Sequence, residues 1–303
     1  MFIVKNRTAF FGLTATITIV ALIAVGVFGL QLGTDFTGGS LVQVTYPNER
    51  PAPLLVQGAL DAAGFEGYSL RGAGEKDYVL RAGNLTEIQR ASIAELLSGG
   101  DAYRGAITQL TEVGPTIGVE LRNKALIAMA LVLLCILFFI AFAFRKVSEP
   151  ISSWVYGFIA LVTLLHDVIV PIGAFALFGY LWGAQVDTLF VTALLTILGF
   201  SIHDTIVVFD RVRENLRLNQ EHGRREDFEQ VAGRSLNQTI VRSINTSVTV
   251  AISLAALYIF GPDSTKYFAL TLLIGIIAGT YSSVALATPL LVAYEKWHKN
   301  RKK

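Results

Sequence analysis

Charge is what this chain lacks most. Charged residues fill only 16% of its 303 positions, while 53% are hydrophobic. Soluble domains carry about 25% charge, so the shortage excludes an ordinary soluble protein and points to a polytopic membrane protein. Mean hydropathy is +0.55. Cysteine is almost absent: Cys135 stands alone in the run ALIAMALVLLCILFFIAFAF. It can make no internal disulfide and is a poor start for a metal site; its setting reads as that of a small core residue. There is no HExxH motif, no cysteine cluster and no recognisable nucleophile–base pair, which argues against metal chemistry, hydrolysis and enzyme activity in general. No nucleic-acid motif appears. A cleavable leader is not expected. Lys5 and Arg7 precede an apolar stretch longer than the 7 to 15 residues of a signal peptide core, so the expectation is an uncleaved first span.

What is present in abundance is apolar sequence in blocks. A spanning helix needs about 20 apolar residues, and six segments qualify: 9–31, 124–144, 152–178, 187–209, 238–260 and 267–294. Lys and Arg in short connections set orientation. Lys5, Arg7, Arg145, Lys146, Arg211, Arg213, Arg217, Arg224, Arg225 and Arg234 collect on one side with the tail residues Lys296, Lys299, Arg301, Lys302 and Lys303. The opposite short loops hold only Lys266. Both termini are therefore expected to be cytoplasmic. Trp154, Trp182 and Trp297 fall near predicted interfaces, Pro171, Gly173 and Pro289 are candidate kinks, and Gly275 and Gly279 form a GxxxG packing face.

Six parts result: 1–31, the tail and first span; 32–123, an extracytoplasmic domain; 124–209, spans two to four; 210–237, a cytoplasmic amphipathic loop; 238–295, spans five and six; and 296–303, a basic tail. The extracytoplasmic part alternates in pattern. SLVQVTY reads as a strand, PAPLLVQGALDAAG as a helix, GYSLR and DYVLRA as two strands around GAGEK. LTEIQRASIAELLSG reads as a helix with Leu85, Ile88, Ile93, Leu96 and Leu97 on its apolar face, and AYRGAITQLTEVG as a last strand. The order β-α-β-β-α-β predicts a small α+β ferredoxin-like domain. In the cytoplasmic loop, Asp210, Arg213, Glu214 and Arg217 are spaced for helical charge pairs.

Ionisable groups inside spans are costly and mark ion or proton paths. Three sites qualify: His166-Asp167 in the third span, His203-Asp204 in the fourth and Arg242 in the fifth. At about 1.5 Å per residue, Asp204 and Arg242 fall at similar depth on consecutive antiparallel helices, so an ion pair is expected. Gln238, Arg242, Asn245 and Thr249 share one helical face, and Thr188, Thr192, Thr196, Gly199 and His203 share another. Together they suggest a hydrated polar seam through the bundle. A carboxylate held between burial and a nearby arginine can change charge as local structure changes, and one charge moved through 100 mV is worth about 2.3 kcal/mol.

An ordered series of segments resembles the SecF family of the bacterial SecDF export complex: TDFTGGSLVQV, VGPTIGVELRNKAL, LLHDVIVPIGAF, GFSIHDTIVVFDRVRENLR and LNQTIVRSINTSVTV. The resemblance covers nearly the whole chain. It implies membership of the resistance-nodulation-division superfamily, with six spans forming half of a membrane domain. The other half would come from SecD. It implies use of the proton motive force to promote translocation and release of exported polypeptides at a bacterial inner membrane, with protons as the coupling ion and no other cofactor. Asp204, Arg242 and Asp167 fall on the family's coupling positions, with His166, His203, Gln238, Asn245 and Thr249 around them. Asp35, Phe36, Gly38 and Gly39 form the junction into the exported domain. The partners implied are SecD, the SecY–SecE–SecG channel, YajC and YidC as further candidates, unfolded exported polypeptide and the lipid bilayer. Two other readings share these spans. One is a small-molecule or lipid exporter, for which about 90 extracytoplasmic residues leave little room for a cavity of 300 Å³ or more. The other is a scaffold whose charges serve assembly alone.

Overall fold

A computed structural model describes residues 2–98, 103–145, 151–224 and 226–301 of the chain. Lys146, Arg225, Lys302 and Lys303 of the basic tally, and Gly99 and Ala102 at predicted element ends, lie outside the described residues. The elements are, in order, α1 (Phe2–Lys5), α2 (Arg7–Phe28), α3 (Thr34–Thr37), β1 (Gly39–Thr45), α4 (Pro53–Ala62), β2 (Ser69–Ala73), β3 (Asp77–Ala82), α5 (Glu87–Ser98), β4 (Ala106–Val113), α6 (Pro115–Ala143), α7 (Ser153–Trp182), α8 (Thr188–Glu221), α9 (Phe228–Phe260), α10 (Asp263–Ser282), a π-helical turn over Ser283–Ala287 and α11 (Thr288–Arg301). Two compact units result. The first holds Met1–Gln31, Ala128–Ala184 and Leu189–Lys303; the second holds Leu32–Ile127 and Gln185–Thr188.

The first unit is helical. Six helices are long and apolar enough to cross a membrane: α2, α6, α7, α8, α9, and α10 with α11 as one span. The cores of α7 and α8 are half buried, whereas α2 and α6 are mostly open. After Lys124, α6 is apolar around its whole circumference, so composition does not say which face meets protein and which meets lipid. Cys135 belongs to the open face; the expected core position is corrected to a peripheral one. Buried Ile140, Phe144, Tyr156, Leu164, Phe209 and Val212 centre the core. Gly173 serves close packing, since a Cβ there would lie 2.5 Å from the Ala21 Cα, and α7 runs on as one helix through Pro171. Pro289 has a different effect. Without an N–H it cannot bond the Ala285 carbonyl, and the turn just before it widens to π geometry over Ser283–Ala287.

Beyond the membrane-length segments, α8 and α9 continue as a helical hairpin. Its inner face buries Val212, Asn215 and Asn219 against Phe228, Val231 and Ser235. Its outer face carries the pairs Arg213–Asp210 at 2.7 Å, Arg211–Glu214 at 2.6 Å and Arg217–Glu221 at 2.9 Å.

The second unit is a four-stranded sheet in the order β2-β3-β1-β4, antiparallel throughout. This is the split β-α-β arrangement of the ferredoxin-like fold. The strand period of two puts Val42, Val44, Tyr78 and Leu80 on one face, packed against Val56 and Leu60 of α4 and Ile93 and Leu97 of α5. Register pairs Val42 with Leu80 and Val44 with Tyr78. Tyr46 closes the core by donating its hydroxyl to the Leu97 carbonyl at 2.5 Å. Ile88, expected on the apolar face of α5, is 82% exposed. It precedes Ile93 by five residues, which turns it about 140° away from that face.

Candidate functional site

α8 separates its polar residues by face. Ser201, Asp204 and Thr205 are buried, and they recur three and four residues apart, so they share the side turned into the bundle. Thr192, Thr196, Gly199 and His203 lie on the exposed side. His203 and Asp204 are neighbours in sequence, yet a helix turns them about 100° apart.

Asp204 is 3% exposed. Ser243 and Ser247 of α9 face it, with His203 and Arg242 nearby. Its Oδ2 has no hydrogen-bond partner, and neither do the buried hydroxyls of Thr205, Ser243 and Thr288. Ser247 instead bonds Thr280 of α10 at 2.5 Å. Unpaired buried polar atoms are rare in folded proteins. Two of them, Asp204 Oδ2 and the Ser243 hydroxyl, belong to side chains that face each other across α8 and α9.

The second acid is more fully bound. Asp167 is completely buried on α7. Its Oδ1 lies 2.8 Å from His166 Nδ1. Its Oδ2 accepts from Ser282 of α10 at 2.7 Å and from Ser201 of α8. Three helices are thus pinned on one carboxylate. Ser201 sits one turn before Asp204 on the same face of α8, so the two acids share a helix side. His166 Nε2 is buried without a partner, and its ring lies 6.3 Å from that of Tyr281. The Tyr281 hydroxyl lies 3.1 Å from that of Thr14 on α2.

The expected Asp204–Arg242 ion pair does not form. Among the described residues no ion pair joins them, and Arg242 is exposed. The reason is helical phase: Ser243 takes the inward position on α9, and Arg242, one residue earlier, points about 100° away. The seam is likewise corrected from the interior of this bundle to its outer surface, since Gln238, Arg242, Asn245, Thr249 and His203 are all exposed. Gln238 is tied to the hairpin, accepting from Arg211 at 2.6 Å and Asn215 at 2.9 Å. The buried stripe of α9 is Ser235, Thr239, Ser243 and Ser247. Its four-residue spacing of small hydroxyl residues was the available signal, because small residues let spanning helices approach closely. The GxxxG face does this on α10: a Cβ on Gly275 would strike Ile197, and one on Gly279 would lie 2.9 Å from the Ser201 Cβ. Among the described residues no group of three or more His, Cys, Asp or Glu could hold a metal.

The junction residues act in the second unit. Phe36 is buried. Gly38 has φ +78°, and a Cβ there would lie 2.7 Å from the Pro115 Cα; Gly39 has φ +119° and approaches the Ala82 carbonyl. Asp35 Oδ2 accepts from the Thr188 N–H at 3.0 Å and the Thr188 hydroxyl at 2.8 Å.

Residues 94–297 match the family described as protein export membrane protein SecD/SecF, C-terminal, and residues 23–46 match the SecD/SecF GG motif. A protein translocase subunit SecF from Thermobaculum terrenum is 44% identical, across 97% of this chain and 93% of that protein. The SecF subunit of Anaerolinea thermophila is 37% identical across 97% and 94%. The crystal structure of SecDF from Thermus thermophilus, described as a translocon-associated membrane protein, aligns with a TM-score of 0.83 at 28% identity. It covers 97% of this chain, which spans 38% of that longer one. With six membrane-length helices, the family match and near-full-length relatives in agreement, the chain belongs to the SecF family of membrane-embedded protein translocase subunits.

Proposed function

We propose that this chain pairs with SecD and uses the proton motive force to promote translocation and release of exported polypeptides, with its termini on the cytoplasmic side. The observation that carries the reading is Asp204: a carboxylate buried at membrane depth, one oxygen unpartnered, facing hydroxyls of the next helix. An unpaired buried charge is expensive, so Asp204 answers a change in its neighbours by changing its protonation or its partners. Either event alters how α8 packs on α9. Asp167 then acts through Ser201, holding α8 to α7 and α10 while Asp204 cycles.

The exposed polar face supports the pairing. His203, Arg242, Asn245 and Thr249 would be costly against hydrocarbon. A homologous SecD half covering them would convert two surface stripes into an enclosed hydrated path, with Arg242 as a fixed charge beside Asp204. Contacts to the SecY–SecE–SecG channel, YajC and YidC belong to the assembled complex in this reading, and the work done is transport rather than covalent chemistry.

Asp204→Asn tests it. In vesicles with SecD and the channel, the variant is expected to co-purify with SecD and to lose the export stimulation that a proton gradient gives. Full stimulation with the gradient verified would refute the coupling role. Loss of SecD from the variant in a detergent pull-down would favour the scaffold reading.

A further inference from the structure

A groove runs along the helical unit between α9, α10 and the N-terminal helices. Its volume is about 390 Å³, within the range of ligand sites. Ile240 and Ile244 of α9 form one wall, and Ile276 and Ile277 of α10 the other. α1 packs on α9, the π turn and α11, so Ile3 borders the end that Ile240 and Ala285 form. Only Ser247, Thr280 and Tyr281 bring polar side chains to the lining. The hydroxyls of Ser247 and Thr280 bond each other at 2.5 Å, and the Tyr281 hydroxyl lies 3.1 Å from that of Thr14. Each is satisfied within the protein, so nothing in the lining asks for water or a polar ligand.

The groove has the length of one leaflet. Along α9 it extends from Ile240 to Ala251, about 16 Å. A leaflet offers about 15 Å of hydrocarbon, half of a core about 30 Å thick. Its face on α9 is also the wrong one for SecD. At about 100° per residue, Ile240, Ile244 and Ala251 lie about 150° around the helix from Arg242, Asn245 and Thr249. Those three form the polar face given above to SecD, and this choice of faces rests on that pairing.

Cations gather at the end that Ile3 borders. Lys5 and Arg7 stand in the chain between Ile3 and Phe10, both of the lining. Arg7 pairs with Glu229 at 3.3 Å, and Lys296 pairs with the same carboxylate, so one acid serves two cations. Lys5 is exposed and forms no ion pair among the described residues. The surplus of positive charge favours an anionic headgroup.

We propose that this groove binds one acyl chain of an anionic phospholipid, with the headgroup held at Lys5. Ser247 lies in the lining and also faces Asp204, which places the bound chain one side chain away from that acid.

Native mass spectrometry tests this on the full chain, alone and with SecD, in detergent micelles. Dioleoyl phosphatidylglycerol or dioleoyl phosphatidylcholine is added, and the affinity of the first bound lipid is read. Phosphatidylglycerol is expected to bind at least about fivefold more tightly. Lys5→Ala should lower its affinity about fivefold, the share of one lysine beside anionic lipid, and leave phosphatidylcholine unchanged. Ala251→Phe, which fills the groove, should weaken both lipids at least about tenfold. Leu134→Phe on α6 adds an aromatic ring outside the groove and should alter neither. Ile277→Trp, at the exposed rim, carries the test if Ala251→Phe does not accumulate. Equal affinity for the two lipids, or phosphatidylglycerol affinity unmoved by Lys5→Ala or by the groove variant, overturns the proposal. So does loss of the tight site when SecD binds, which would give the groove to SecD. If SecD fails to bind at all, the pairing falls, and the lipid site is decided by the same variants on the chain alone.

Discussion

Tyr46 shows how one side chain joins the secondary elements of the ferredoxin-like domain. It follows β1, is fully buried and donates to a carbonyl at the end of α5. Burial, with the Tyr78 phenol beside it as the smaller cause, pushes its pKa up to about 12. The folded value lies above the ordinary one near 10, so the fold favours the neutral phenol. The stability this contributes is complete below about pH 10 and is lost as pH rises from about 10 to 12. Absorbance titration of tyrosinate at high pH is the check: Tyr46→Phe is expected to remove one equivalent from the phase near pH 12. It should also destabilise the domain by about 1–3 kcal/mol, because the buried Leu97 carbonyl loses its donor. An unchanged titration would place Tyr46 in water. That this tyrosine is internal could be read from the alternation of its strand; that its hydroxyl meets Leu97 could not, since the partner is 51 residues away.

Among the elements, glycines separate the places where backbones touch from those where they do not. Gly38 combines a positive φ with a backbone neighbour at 2.7 Å. Gly38→Ala is therefore expected to cost about 1–3 kcal/mol in conformational strain, with the Pro115 clash added to it. Gly12 in α2 has nothing within 4 Å of its Cβ direction, and Gly12→Ala is expected to be neutral or stabilising. Thermal unfolding in detergent compares the two, and equal melting temperatures would deny the junction its tight packing. Element order was readable because each apolar block and each alternating block is long enough to show its period. Helix ends were less so. α6 begins at Pro115 and α9 at Phe228, both before the apolar runs that announced them, because a helix continues from membrane into water without a change of backbone geometry. The π turn before Pro289 is a similar case: a kink was predicted from proline, but its form depends on how α10 and α11 pack.

For the whole molecule, the polar outer face is the feature that a single chain leaves unsatisfied. On the proposed pairing, a reporter at this face changes its environment when SecD is present. Asn245→Cys, placed in a Cys135→Ala background, is expected to react readily with a polar thiol reagent in the isolated chain. With SecD bound its labelling should slow at least about tenfold, the change expected when a group passes from an open to a largely closed state worth about 1.4 kcal/mol. Equal rates would place SecD elsewhere. The same comparison at an α6 position such as Leu134, an exposed apolar residue, provides the lipid-facing reference.

By itself the sequence determined that this is a membrane protein of six spans with one small α+β domain between the first two, and that Asp167, Asp204 and Arg242 stand where charge is costly. Length, apolar runs and period decide those things locally. Tertiary structure alone decided which way each polar residue faces. One residue along a helix is a turn of about 100°, so a run that names His203 and Asp204 together separates them between outside and inside. The same rotation takes Arg242 away from Asp204 and brings Ser243 to it. It also joined Asp35 to Thr188, because contact across 153 residues depends on where the chain returns, and no local pattern encodes that.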